Sequence, residues 1–154
     1  MTTATIIDHI MDVMEGSFEP AFREAWNRRQ ITDALAMPTT HAILIDPEGK
    51  SVKDTTSTAA GFVLTRAAAG EEELLLIAVL PEYRGRGLAQ RLIEQLFDAA
   101  KTRDSERIYL EMRRGNTAIH LYRKLGFKPI GERRNYYRME NGERIDAITF
   151  GRSI

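Results

Sequence analysis

In 154 residues the chain holds 22 basic and 22 acidic side chains, a 43% hydrophobic share and no cysteine. That length and apolar content predict one domain, 1–154, with a core of its own, and the balanced charge supplies no global field for nucleic acid or an anionic membrane. Without cysteine there is no disulfide framework, thiolate metal site or cysteine nucleophile. His9, His41 and His120 are too scattered to suggest a zinc site, so no metal is expected. No apolar run reaches the ~18 residues of a membrane span. The start, Met1-Thr2-Thr3 with Asp8, is unlike a signal peptide, and a cytoplasmic location is expected.

Ile7, Ile10, Met11 and Met14 recur at helical spacing, and Gly16 ends that pattern. Pro20 suits a first helical turn that places Phe22 and Trp26 on one face, and Thr32 is expected to cap a short turn through Leu35. From His41 the period changes. Ala42–Ile45 and Gly61–Arg66 read as strands, separated by a polar stretch, Asp46 to Thr58, that is long for a hairpin loop and expected to be mobile. Ala67–Glu72 is expected to turn, and the continuous apolar run Leu74–Leu80 suits a central strand covered on both faces.

After a glycine-rich segment, Leu88, Leu92, Ile93, Leu96, Phe97 and Ala100 form the core stripe of a helix. Arg107–Arg113 alternates, with Ile108, Leu110 and Met112 on one face and Tyr109, Glu111 and Arg113 on the other. Asn116 can cap a helix bearing Leu121 and Tyr122, with Gly126 as its C′ residue. Phe127–Glu132, Tyr136–Met139 and Ile145–Phe150 read as closing strands, the last two joined at Asn141-Gly142. The order predicts an α/β (α+β) fold, a mixed sheet with helices on both faces.

The segment Pro81-Glu82-Tyr83-Arg84-Gly85-Arg86-Gly87-Leu88-Ala89 lies between the central strand and the striped helix. A strand, a glycine turn and a helix start in that order leave backbone N–H groups pointing outward, which makes an anion site. Gly85 and Gly87 let the backbone approach a ligand, and Arg84 and Arg86 add charge. No lysine follows as in a P-loop, and no third glycine as in a dinucleotide fingerprint. A phosphate-bearing cofactor is the expected occupant. Two residues further on in the chain have the chemistry for proton transfer. Read from spacing alone, Glu111 is a strand carboxylate that pairs with Arg113 or accepts a proton, and Tyr122 is a half-buried aromatic or a proton donor.

The pattern Arg84-x-x-Gly87-x-Ala89 resembles the acyl-CoA pyrophosphate loop of the GNAT N-acetyltransferase superfamily. Leu110-Glu111-Met112-Arg113 together with the stretch Asn116 to Phe127 strengthens the resemblance, which covers Leu74 to Phe150 well and the N-terminal part loosely, at Phe22 to Trp26. Ile77-Ala78-Val79, Arg133-Arg134-Asn135-Tyr136-Tyr137 and Asp146-Ala147-Ile148 make the chain most similar to the bacterial RimI-type ribosomal-protein-alanine N-acetyltransferases.

The resemblance implies the GNAT acyl-CoA N-acyltransferase fold, with a mostly antiparallel mixed sheet and acetyl-CoA as acetyl donor. It implies Glu111 as proton acceptor and Tyr122 as proton donor. It further implies Ile77, Ala78 and Val79 as the edge that pairs with the pantetheine arm, and Arg84, Gly85, Arg86, Gly87, Leu88, Ala89 and Gln90 as the pyrophosphate loop. Asn116 falls on a further cofactor contact, and Tyr136 and Tyr137 on the acceptor-side wall. The family has one residue more between the asparagine and the tyrosine, about 100° and 1.5 Å of helix, so Tyr122 is expected to keep its place and Asn116 to shift.

An α-amine has a pKa of about 7.7–8.0 and a lysine about 10.4. That gap adds ~3.4 kcal/mol to deprotonating lysine at neutral pH. The expected reaction is direct transfer to a protein N-terminus, with a small-subunit ribosomal protein as the acceptor implied by the resemblance. No membrane or nucleic-acid partner is expected. A lysine or small-molecule amine acceptor, and a non-catalytic acyl-CoA sensor, are the alternatives.

Overall fold

Alternating burial along Arg107–Arg113 and a five-residue buried strip at Gly61–Thr65 organise the middle of the chain into a sheet. A computed structural model describes residues 1–18, 24–52, 54 and 56–154. The elements are α1 (Thr3–Ser17), α2 (Arg28–Leu35), β1 (Thr40–Ile45), β2 (Gly61–Ala68), β3 (Glu71–Val79), α3 (Leu88–Thr102), β4 (Arg107–Arg113), α4 (Ile119–Lys124), β5 (Lys128–Arg138) and β6 (Arg144–Ser153). The strand order is β1-β2-β3-β4-β6-β5. Only β3 and β4 run parallel; the other neighbours are antiparallel.

Helices cover both faces, as expected. On one, Leu92, Ile93 and Leu96 of α3 and Tyr122 of α4 cluster with Phe127 and with Val63, Leu74, Ile108 and Phe150 of the sheet. On the other, α1 and α2 bury Ile10, Val13, Met14 and Ile31 against Phe62, Leu64, Leu76 and Ala78. Among the described residues no helix is long and apolar enough to cross a membrane.

β3 pairs with β4 only from Glu71↔Arg107 to Leu74↔Leu110, although both strands continue. The register against β2 jumps from Thr65↔Leu74 to Leu64↔Leu76, so Leu75 is an inserted bulge residue. Leu75 and Leu76, adjacent in sequence, consequently both pack on the α1 side. The bulge lies where β3 leaves β4, and beyond it the two strands diverge into a wedge.

Several local expectations change. β2 and β3 are joined by a two-residue turn, Ala69-Gly70, with φ of 52° and 82°, in place of the six-residue turn expected at Ala67–Glu72. Two left-handed residues in a row match the twist of a tight hairpin. Asn27, not Thr32, caps α2. Its side chain accepts from Gln30 N–H at 2.8 Å, and Gln30 Oε1 accepts from Asn27 N–H at 2.8 Å, a capping box. Thr32 lies inside the helix and returns its hydroxyl to Arg28 O.

Trp26 lies in non-helical chain ahead of that cap; Pro20 and Phe22 fall outside the described residues. Phe127–Glu132 and Tyr136–Met139 merge into the single strand β5, irregular between Arg133 and Tyr137, where Asn135 takes φ 52°. The polar stretch after β1 is pinned where described. Asp46 Oδ1 accepts from Glu48 and Lys50 N–H, Val52 is buried, Arg91 donates to Gly49 O at 3.3 Å, and His9 Nε2 meets Asp54 O at 3.2 Å.

Candidate active site

The wedge between β3 and β4 opens a cleft of about 580 Å³. Leu74 to Val79 form one wall and Leu110 to Arg113 the other, with Arg84 and Ala89 at one end and Asn116, Leu121, Tyr122 and Tyr137 around the rest. Leu80 N–H donates toward β2, to Ala60 O at 2.8 Å. Alternation then turns the backbone groups of Val79 and Ile77 away from β2 and into the opening. The cleft therefore has a strand edge at which the backbone groups of Ile77 and the N–H of Val79 face an extended ligand, while Val79 O is held by Arg84 Nε.

The glycine turn has the conformation the sequence suggested. Gly85 and Gly87 take φ of 79° and 77°, and an added Cβ at either would meet nothing within 4 Å. Glycine is required there by conformation, not by crowding. The first helical bond of α3 is Arg91 N–H to Gly87 O, 3.0 Å, so the N–H groups of Leu88, Ala89 and Gln90 have no helical acceptor. Arg86 lies 5.4 Å from the Tyr83 ring and is exposed. Arg86, Gly87, Leu88 and Gln90 border a smaller hollow of about 340 Å³ that also touches Pro47, Glu48 and Gly49. Left-handed glycines, orphan donors and a cationic side chain together fit a diphosphate.

Arg84 departs from the expected pattern. Its Nε donates to Val79 O at 3.0 Å and its Nη2 to Ser17 O at 2.8 Å, so the guanidinium is committed to backbone carbonyls.

Glu111 is on the cleft wall with its side chain 17% exposed. Its Oε2 lies 3.1 Å from Arg133 Nε and 3.4 Å from Thr149 Oγ1. The arginine paired with it is thus Arg133 of β5, while Arg113 binds Glu24 at 3.4 Å. Tyr122 is 5% exposed and is fixed by the way α4 ends. Gly126, at φ 89°, donates to Arg123 O at 3.1 Å, and Phe127 N–H donates to Tyr122 O at 2.9 Å. This is a Schellman motif, completed by an edge-to-face contact of Phe127 on Tyr122 at 5.6 Å. Burial, aided by the Glu24 charge, pushes the Tyr122 hydroxyl well above the ordinary tyrosine range.

Burial, then the charges of Glu111 and Glu24, push Tyr137 up to about 12. Its hydroxyl lies 3.5 Å from Glu111 O. Both tyrosines therefore hold their protons at neutral pH. Asn116 Oδ1 accepts from Ala118 N–H at 2.9 Å and caps the turn into α4, while its Nδ2 reaches Glu24 at 3.4 Å. Tyr136 does not line the cleft. It is 49% exposed, meets the Tyr137 ring edge to face at 5.2 Å and lies under Arg133 at 4.9 Å.

No sequence pattern signals Glu24, which lines the cleft and touches Arg113 and Asn116. Nor does any single out Thr149 or the pairing of Arg133 with Glu111, both of which depend on strand register. Among the described residues no group of acids and histidines could hold a metal.

Comparison with known proteins agrees with this geometry. A putative ribosomal protein bS18-alanine N-acetyltransferase of Bacillus subtilis is 31% identical over 92% of this chain and 85% of its own. The corresponding Escherichia coli enzyme is 42% identical over 58% of this chain, which spans 60% of that relative's length. The crystal structure of the ribosomal-protein-S18-alanine N-acetyltransferase from Escherichia coli superposes with TM-score 0.79 and 28% identity, over all of this chain and 90% of that one. A strand wedge beside a glycine turn, and a match of residues 8–127 to the model of the acetyltransferase (GNAT) family, place the chain in that family.

Proposed function

We propose that this chain transfers an acetyl group from acetyl-CoA to the N-terminal α-amine of a protein, with a small-subunit ribosomal protein as acceptor. The observation that carries the reading is the wedge itself, which sets Glu111 and Tyr122 on one cleft beside the orphan donors of α3. The names of the relatives support the acceptor, and GNAT enzymes use acetyl-CoA.

The bound cofactor supplies an activated thioester. The turn from Gly85 to Gln90 would hold its diphosphate by main-chain N–H groups, and Ile77 and the N–H of Val79 would pair with the extended arm. Glu111 takes the proton that the ammonium must lose, directly or through one water. The bound donor would supply an acetyl carbon open to the freed amine nitrogen, with the thiolate as its leaving group. Tyr122, protonated in its buried setting, donates toward the departing sulfur. Arg133 and Thr149 hold Oε2 of Glu111 and fix the carboxylate's orientation. Tyr137 would stand on the acceptor side of the cleft, with Phe18, Glu24 and Trp26 lining the same opening.

Incubation with acetyl-CoA and a peptide panel, read by mass spectrometry, tests this. Acetylation at free N-termini, strongest for N-terminal alanine, is the expected result. Acetylation confined to lysine side chains or small amines would refute the acceptor, and no turnover with any amine would leave a non-catalytic acyl-CoA binder.

A further inference from the structure

The side chain that opens the glycine motif does not reach toward the turn it introduces. Nε of Arg84 is bound to Val79 O and Nη2 to Ser17 O, and its own N–H donates to Pro81 O at 3.2 Å. Three of its donors are thus committed before the orphan donors begin. Val79 is the last residue of β3, on the cofactor side of the wedge. Ser17 is the last residue of α1, and the chain after it supplies Phe18, Glu24 and Trp26 to the same cleft. Phe18 itself is extended, with φ −110° and ψ 142°, so helical hydrogen bonding has ended and Arg84 takes up a C-terminal carbonyl of α1.

We infer that Arg84 is a positioning residue that couples the cofactor turn to the acceptor-side connection, not a ligand of the diphosphate. This rests on the acyl-transfer reading above. A cation forked between two carbonyls from separate elements transmits any stiffening of the turn to the end of α1. Donor binding then arranges the wall against which the acceptor lies. Lysine keeps the charge but cannot span both carbonyls with a planar fork.

Hydrogen exchange of the wild-type chain, with and without coenzyme A, tests the coupling without any variant. The expected result is added protection at residues 84–90 and also at 14–18; protection at 84–90 alone would overturn the proposal. In Arg84→Lys the protection at 14–18 should vanish and that at 84–90 persist. Calorimetry should give a coenzyme A Kd within about twofold of wild type, while the KM for an acceptor peptide rises about fivefold, the equivalent of ~1 kcal/mol. A weakened Kd with unchanged acceptor KM would make Arg84 a phosphate ligand and overturn the inference, as would parallel losses in both or change in neither. Failure of the wild type to bind coenzyme A would remove the cofactor reading, and this coupling with it. Binding without distant protection would remove the coupling alone.

Discussion

At the scale of single residues, Glu111 and Tyr122 make separable demands. Glu111→Gln preserves shape and the contact with Thr149 but cannot accept a proton. An α-amine with a pKa of ~8 is mostly charged at pH 6.5 and mostly free at pH 9. The loss in kcat/KM should therefore be about 10²-fold at the lower pH, a usual size for general-base catalysis, and shrink as pH rises past the amine's own pKa. A loss of constant size across that range would remove Glu111 from the proton path. Tyr122→Phe keeps the ring, the Schellman turn and the contact with Phe127. It should lower kcat by about 10²-fold in single-turnover measurements while leaving the coenzyme A Kd unchanged. A defect confined to binding would reduce Tyr122 to a cleft-lining aromatic.

At the scale of elements, the conformation of the glycine turn can be separated from its function by a matched control. Gly87 and Gly70 take φ of 77° and 82°, and a Cβ at either meets nothing within 4 Å. Alanine in the left-handed region costs ~1–2 kcal/mol at either place. Each substitution should lower the melting temperature by about 4 °C in a chain of this length. Only Gly87→Ala, at the start of α3, should also weaken coenzyme A in calorimetry; equal weakening by Gly70→Ala, in the β2–β3 turn, would detach the glycine turn from the cofactor.

The same elements show what was legible beforehand. The Leu88–Ala100 stripe, the alternation of β4 and the glycine turn are local patterns, and each stands where the residues put it. The α4 helix keeps Tyr122 on the cleft despite its shortened lead, because Asn116 caps the turn ahead of it and Gly126 closes the end. The Leu75 bulge, the partial pairing of β3 with β4 and the Arg133–Glu111 contact were not legible. Each is a matter of register between strands distant in sequence, and a single chain's periodicity does not contain it. The expected turn at Ala67–Glu72 is there, but its two-residue length was not legible, because its first left-handed position is an alanine, where an asparagine or glycine signals so tight a turn.

At the scale of the whole molecule, a wedge needs one end held shut. Glu72, 0% exposed, is on β3 within the four-residue stretch that pairs with β4. Arg103 binds it through two nitrogens at 2.6 and 2.9 Å, and the hydroxyls of Thr65 and Ser105 approach at 3.3 Å. The cluster joins β2, β3 and the connection from α3 to β4 at the end opposite the glycine turn. Removing one partner of a buried pair strands the other, at a cost of ~3–5 kcal/mol, and the low end applies because Arg103 is 28% exposed. Glu72→Gln should then lower the melting temperature by about 6–12 °C. Replacing the pair together, as Glu72→Leu with Arg103→Met, removes the stranded charge and should recover most of that loss. If the cluster also sets the angle at which β3 and β4 part, the double variant will regain its melting temperature while its coenzyme A affinity stays reduced. Full recovery of both would show that apolar packing holds the wedge equally well, and that the ion pair contributes stability without shaping the cleft.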